Sequence, residues 1–352
     1  MDADTPWALV LADGKPGHEN QSLGVLPHDI KPWRFQVNYR SKAARGAAWL
    51  AARWPVPFAP LAGAFPWRRV MADGEELVHR LNAAPRPALV ISSGSGPAPI
   101  TLLLARELGR PAVTCMTPSV GVNRFDLALV PRHDRPPNLP TVVSTLGAPN
   151  RVNPETLTAE ADAFRTRHDL PPGDYITLLL GGDSAHHRIP AALGVDILDQ
   201  CLTLSRETGM TLLVTTSRRT REETETAMAE RAGETGFFCR GRTDREPVLA
   251  GMLGLAKLVV VTEDSVSMVS EAASSPARVL TVAVERVGDK VPRRHEAVLS
   301  ALAEGGFARR ANPAALAGSG RELLDGVPPP MLDDSEVCRR AVTELVDTWT
   351  AR

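Results

Sequence analysis

A repeated alternation constrains this chain more than any other feature. A short run of Val, Leu, Ile and Ala gives way to a loop of small or polar residues, then to a helical pattern. Pro6–Ala12, Phe35–Tyr39, Ala88–Ser92, Ala112–Met116 and Leu127–Val130 read as strands. Glu19–Leu26, Ala43–Trp54, Arg69–Ala83 and Pro99–Leu108 read as helices. Most of the strand runs are apolar without alternation, which suits a parallel sheet covered on both faces. The cycle restarts after Pro171-Pro172-Gly173. Strands are then expected at Tyr175–Leu180, Thr211–Thr215, Phe237–Cys239, Leu258–Thr262 and Arg278–Val282. Helices are expected at Ala191–Glu207, Arg221–Ala232, Pro247–Ala256 and Ser265–Ser274.

Strands that alternate with helices are joined by right-handed crossovers, so the chain is α/β with a Rossmann-like, doubly wound sheet in each half. Its 352 residues are enough for two such domains. The expected division is 1–150, a linker at 151–173 that holds a proline-bounded helix, and a second domain at 174–330. Residues 331–352 carry a last helix, Ser335–Trp349, which follows Pro328-Pro329-Pro330 and returns to the first domain.

The formal net charge of −1 hides an asymmetry: residues 1–150 carry 16 Lys and Arg against 11 Asp and Glu. A basic half can attract an anionic partner, although uneven surface charge accounts for it equally well. Phe, Trp and Tyr make up only 5%, which argues against stacking platforms for nucleic acid. Cys115, Cys201, Cys239 and Cys338 are scattered without metal-ligand spacing, as buried thiols of a reducing compartment would be. The N-terminus is acidic where a signal peptide would be basic, so a cytoplasmic location is expected. Ala88–Ala105 is uncharged and long enough to span a bilayer. Ser92-Ser93-Gly94-Ser95-Gly96-Pro97 interrupts it, however, and it reads as strand, loop and helix.

In doubly wound folds, ligands sit beyond the carboxyl ends of the strands. Five loops there concentrate chemistry. The first, Asp13-Gly14-Lys15-Pro16-Gly17-His18-Glu19-Asn20-Gln21, precedes a helix and can cradle an anion, Lys15 adding positive charge. It matches neither a Walker A loop nor GxGxxG. The second is Ser92–Pro97, where Ser93 and Gly94 suit phosphate or sugar contact, or simply a turn. The third is Gly181-Gly182-Asp183-Ser184-Ala185-His186-His187-Arg188, whose paired glycines would let a diphosphate approach the backbone. Thr215-Thr216-Ser217-Arg218-Arg219-Thr220, the fourth, offers hydroxyls and forked guanidinium bonds to phosphate, or a solvated turn. The fifth, Thr262-Glu263-Asp264-Ser265-Val266-Ser267-Met268-Val269-Ser270-Glu271-Ala272, opens a helix with Asp264 as the expected N-cap. Ser267 and Glu271 are four apart and share a helix face. Capping does not account for Glu271 in an otherwise apolar helix. No central DxD motif occurs, Asp2-Ala3-Asp4 lies at the extreme terminus, and neither metal nor cofactor is expected.

The segments DGKPGHENQ, GGDSAHHR, TTSRRT and TEDSVSMVSEA together resemble the mitochondrial-fission (elongated mitochondria) family of plants and many bacteria. The resemblance spans almost the whole chain. Asp183 departs from the usual family form GGPS, and Ser275-Pro276-Ala277 stands where relatives read Gly-Lys-Pro. That family is similar to GT-B glycosyltransferases, which implies two Rossmann-like domains facing a central cleft that closes about a hinge. It implies a nucleoside-diphosphate sugar as donor, bound by Gly181, Gly182, Ser184, Thr216, Arg218, Ser265, Ser267 and Glu271. Gly14, Lys15, Gly17, Ser93 and Gly94 would lie on the acceptor or phosphate side, with His18 or Asp13 as general base. An anionic or lipid-linked acceptor would place the protein peripherally at the inner membrane face. Two other roles accompany the resemblance: a nucleotide-sugar epimerase, and a non-catalytic adaptor in organelle fission.

Overall fold

The computed structural model describes residues 5–53, 67–244, 246–288 and 292–351. Asp2, Ala3, Asp4 and Trp54 lie outside them. The chain divides into two compact units, residues 1–151 with 334–352, and residues 152–333.

The first unit is a six-stranded sheet of β1 (Trp7–Ala12), β2 (Lys31–Gln36), β3 (Leu89–Ser93), β4 (Ala112–Cys115), β5 (Leu127–Pro131) and β6 (Val142–Thr145). The order is β2-β1-β3-β4-β5-β6 and every pairing is parallel. Successive side chains of a strand point to opposite faces. Trp7, Leu9 and Leu11 accordingly join one core with Ala48, Ile100 and Leu103, and Ala8 and Val10 join another with Val25, Cys338 and Val342. Two buried faces account for the unbroken apolar runs. Helix Asp334–Thr350 supplies Cys338 and Val342, and its start is pinned within this unit. Asp334 accepts from the amides of Leu146 at 3.0 Å and Gly147 at 2.6 Å, and Ser335 Oγ accepts from the Asn150 amide at 2.8 Å.

The second unit holds β7 (Tyr175–Leu180), β8 (His187–Arg188), β9 (Thr211–Thr216), β10 (Phe237–Cys239), β11 (Ala256–Thr262), β12 (Arg278–Val282), β13 (Glu285–Arg286) and β14 (Arg309–Ala311). Its main sheet runs β10-β9-β7-β11-β12-β14, all parallel, while β8 and β13 form a small antiparallel pair. This is the doubly wound order in which the connections reverse beside the first strand, leaving a crevice between β7 and β11. The equivalent crevice of the first unit lies between β1 and β3.

Several expectations are corrected. The strand expected at Phe35–Tyr39 lies at Lys31–Gln36, where an edge position with one neighbour tolerates Lys31, Arg34 and Gln36. The helix expected at Arg69–Ala83 is broken between Trp67–Val70 and Gly74–Asn82, because Met71 bridges to Tyr39. Helix Pro16–Gly24 begins earlier than Glu19, so Gly17 and His18 occupy its first turn. Segment 151–173 contributes helix Pro154–Arg167 to the second unit. Phe164 of that helix joins the core of Tyr175, Leu213 and Met252. Gly251 and Gly254 permit the approach: a Cβ on them would lie 2.4 Å from the Phe164 Cβ and 2.3 Å from the Leu157 carbonyl oxygen.

The uncharged stretch Ala88–Ala105 is β3, a turn and part of helix Ala98–Leu108. No helix among the described residues is long and apolar enough to cross a membrane. All four cysteines are free and buried.

Candidate functional site

At the crevice of the second unit, the loop after β7 meets the loop after β11 through one carboxylate. The Gly182 amide donates to Asp264 Oδ2 at 3.0 Å, and the Thr262 hydroxyl donates to Asp264 Oδ1 at 2.7 Å. The Gly181 amide donates to Thr262 Oγ1 at 2.7 Å, and Arg219 Nη2 reaches Asp264 Oδ2 at 2.8 Å. The Asp264 side chain has no solvent exposure. A Cβ on Gly181 would lie 2.0 Å from Asp264 Oδ1, and one on Gly182 would lie 2.2 Å from the Arg219 carbonyl carbon. The glycines therefore admit the protein's own carboxylate and the Arg219 backbone, and both amides expected to receive a diphosphate already have acceptors. Asp264 is not the N-cap. Ser265 is, its hydroxyl accepting from the Met268 amide at 3.5 Å.

The other expected donor contacts divide. Ser184 Oγ accepts from the amides of His186 and His187 at 3.2 and 3.0 Å, which shapes its own turn. Thr216 is buried; its hydroxyl donates to Glu225 and accepts from the Gly241 amide. Arg218 is exposed, and its neighbour Arg219 makes the inward ion pair. Asp183, the departure from the family form, pairs with Arg221 at 2.5 Å and Arg188 at 3.4 Å and accepts from the Ile189 amide. The loop is thereby clamped from within.

Ser265, Ser267 and Glu271 stand on helix Val266–Ala273, at the carboxyl end of β11. The first turn of a helix presents amides without intrahelical partners and a partial positive charge. Glu271, one turn after Ser267, has no hydrogen-bonding or ion-pairing partner among the described residues. Burial pushes its carboxyl up from 4.5 to about 7. A desolvated carboxyl without an internal partner, one turn along the same helix from Ser267, is suited to hydrogen-bond a diol.

The first unit brings its two expected loops together. Asp13 follows β1, and both carboxylate oxygens face His18 Nδ1, at 3.2 and 3.0 Å. A carboxylate only accepts, so Nδ1 is the donor of this pair and Nε2 is the ring nitrogen it leaves unengaged. Gly94 follows β3 with φ of +81°, and a Cβ there would lie 2.8 Å from His18 Cε1 and Nδ1. Gly96 packs on Asp13, and the Tyr39 hydroxyl holds the Gly96 carbonyl at 3.0 Å. Ser93 Oγ donates to Gln21 Oε1 at 2.7 Å inside the unit, so its hydroxyl is engaged in fixing the helix that carries His18. Lys15 is exposed and 3.7 Å from Asp13, with Gly14 turning the chain at φ of +78°. Asp13 and His18 form a pair in which the carboxylate orients the imidazole, the arrangement of a general base.

Two doubly wound sheets with loop clusters at their crevices give the chain a GT-B fold. Solved structures of the same architecture include the UDP-GlcNAc 2-epimerase of Methanocaldococcus jannaschii, at 12% identity over 97% of this chain and 99% of that one, with a TM-score of 0.53. The UDP-GlcNAc 2-epimerase of Neisseria meningitidis bound to UDP-GlcNAc is 10% identical over 96% of this chain and 99% of that one, with a TM-score of 0.51. The model of the family described as Mitochondrial fission ELM1 matches residues 16–345, and the chain belongs to that family. The mitochondrial fission protein ELM1 of Arabidopsis thaliana is 24% identical over 233 residues, 58% of this chain and 53% of that protein. The match thus spans about half the length of that relative.

Proposed function

We propose that the chain is a GT-B-like glycosyltransferase that moves a sugar from a nucleoside diphosphate to a hydroxyl acceptor. The observation that carries this reading is the Asp13–His18 pair, an oriented imidazole whose Nε2 is available to take an acceptor proton. The second unit holds the donor: Glu271 accepts from the ribose diol, Ser267 and the first turn of helix Val266–Ala273 receive the diphosphate, and Arg218 and Arg219 offset its charge. Since the Gly181 and Gly182 amides are engaged within the protein, they shape this loop rather than grip phosphate. The UDP and UDP-GlcNAc named for proteins of the same fold supply the first ligands to try. The basic charge of the first half is compatible with an anionic or lipid-linked acceptor, and neither metal nor cofactor enters the reading.

A thermal-shift screen with UDP, GDP, dTDP and their sugars is the direct test. A ligand present at about 100 times its Kd stabilises by about 2.7 kcal/mol. A chain that none of these compounds stabilises is an adaptor, and the reading falls. Product analysis then separates transfer from epimerisation, since a 2-epimer formed without acceptor identifies the latter.

Glu271→Gln has a result of its own. The folded carboxyl lies at about 7 against 4.5 ordinarily, so folding favours its protonated form. The destabilisation this causes is absent below the ordinary value, grows as pH rises through that interval and is complete above about 7. Glu271→Gln is therefore expected to stabilise the unliganded protein by about 2 kcal/mol near pH 8, after discounting for partial exposure, and to do nothing below about pH 4. Nucleotide affinity falls by about 1–3 kcal/mol in the same variant. Denaturant melts at both pH values and calorimetry check the two effects, and equal stabilisation at both would remove Glu271 from this role.

A further inference from the structure

A cavity of about 290 Å³ lies within the second unit, at the carboxyl ends of β11, β12 and β14 and beneath the β8–β13 pair. Its volume is at the low end of the roughly 300–1,000 Å³ typical of small-molecule sites, enough for a group the size of a monosaccharide. It adjoins the donor loops through the chain itself. His187 closes the loop that begins at Gly181, and Glu263 precedes Asp264.

The charges lining it are already matched. Arg310 lies between two carboxylates, with Nε and Nη2 on Glu263 at 2.7 and 2.9 Å and Nη1 on Glu296 at 2.5 Å. Arg286 reaches the second oxygen of Glu296 at 3.3 Å. The Thr281 hydroxyl donates to Glu263 at 2.8 Å. The His187 and His295 rings pack with centroids 4.7 Å apart. Burial, and for His295 also the neighbouring His187, lower both imidazoles from their ordinary value, so both are neutral at physiological pH. A phosphate or carboxylate entering here would meet no uncompensated cation and would lie against Glu263 and Glu296.

The remaining groups suit an uncharged ligand. His295 Nε2 is buried and has no hydrogen-bond partner among the described residues, a state that costs free energy until something polar fills it. The Asn312 side chain offers a donor and an acceptor. Val284 and Leu299 give the cavity an apolar wall. An apolar face opposite directed hydrogen-bonding groups matches a pyranose ring, which carries C–H faces and a belt of hydroxyls.

We propose that this cavity seats the glycosyl part of the donor and selects sugars without charge, turning away uronic acids and sugar phosphates. The inference rests on the nucleotide-sugar reading for the identity of the donor, while the cavity's preference is testable apart from it. His295 Nε2 and Asn312 bond ring hydroxyls, while the Glu263–Arg310–Glu296 network, its charges already matched, gives an entering anion no free cation to offset its desolvation.

The test uses the full chain with 15N-labelled histidine, titrated with free N-acetylglucosamine, glucose, glucuronate and inorganic phosphate at millimolar concentrations. The neutral sugars are expected to shift the His187 and His295 imidazole resonances saturably, while glucuronate and phosphate leave them in place. His295→Phe keeps the ring packing and removes Nε2, so it should weaken neutral-sugar binding about tenfold, the scale of one buried hydrogen bond. Asn312→Leu, at an exposed position on the cavity rim, serves the same purpose should the first variant fold poorly. Glucuronate or phosphate binding as tightly as glucose overturns the proposal, as do imidazole resonances that no neutral sugar moves. UDP binding measured by calorimetry reports on the nucleotide reading separately: UDP that binds beside sugars that do not leaves that reading standing and removes this one.

Discussion

His18→Ala is expected to lower the rate of sugar release from a nucleotide-sugar donor by about 10²–10⁴ while donor affinity stays within a factor of two or three. The loss follows from the roles in the pair. Asp13 accepts from Nδ1 at 3.0 Å, which leaves Nε2 as the ring nitrogen able to receive the acceptor's proton. Removing the imidazole leaves the acceptor hydroxyl to lose its proton to water. The proposed donor contacts belong to helix Val266–Ala273 of the other unit, so binding and turnover should separate. Asp13→Asn tests the orientation. An amide can donate to Nδ1, which then holds the lone pair and leaves the proton on Nε2, where it opposes base catalysis. A fall of the same order in that variant supports the pair acting as a unit. Comparable losses in donor affinity and rate would instead place His18 in the donor pocket, and an unchanged rate would end its claim to be the base.

Asp264→Ala is expected to cost the second unit about 2–4 kcal/mol, the scale of leaving two buried donors without their acceptor, the half-exposed Arg219 adding little. Four groups converge on this carboxylate or on its immediate partner: the Gly182 amide, the Thr262 hydroxyl, Arg219 Nη2 and, through Thr262, the Gly181 amide. The Gly182 amide and the Thr262 hydroxyl lose their acceptor, while Arg219 keeps the Gly182 and Asp183 carbonyls, and a cavity opens between the loops after β7 and β11. A domain of this size shifts its melting midpoint by roughly 2–4 °C per kcal/mol, so a fall of roughly 10 °C is expected in the transition of the second unit. Asp264→Asn retains one acceptor and should lose less. Calorimetric melts of the three proteins measure this, and a loss below about 1 kcal/mol for the alanine variant would mean that solvent replaces the carboxylate.

Much of the architecture was legible in the chain. Tyr175–Leu180 and Phe237–Cys239 were bounded to the residue because each is an apolar run ended by a glycine pair or a polar turn, and Arg278–Val282 likewise, a run that starts just after Pro276. The strands that escaped notice are β6 and β14, both at sheet edges, and the two-residue β8 and β13, where partly or fully exposed residues such as Val142, Arg309 and Glu285 give no apolar run to detect. Helix Pro154–Arg167 was visible, yet its membership of the second unit was not. That depends on Gly251 and Gly254 admitting it, and a glycine in a short helix carries no sign of which neighbour needs the space.

By itself the sequence determined that the chain is α/β, that it contains two winding cycles, and that chemistry gathers in five strand-end loops. Those properties are written locally, in apolar periodicity and in which residues tolerate a turn. Glu271 also stood out locally, as a carboxylate in an apolar helix. Only the tertiary structure decided what those loops do with their groups. It joined Gly182 to Asp264 across 82 positions and set Gly94 against His18. It also turned Arg219 rather than Arg218 inward, and assembled His187, His295 and Arg310 into one cavity. A hydrogen bond is directional and spans about 3 Å, so its partner is chosen by the placement of whole strands relative to one another, a choice that no stretch of neighbouring residues encodes.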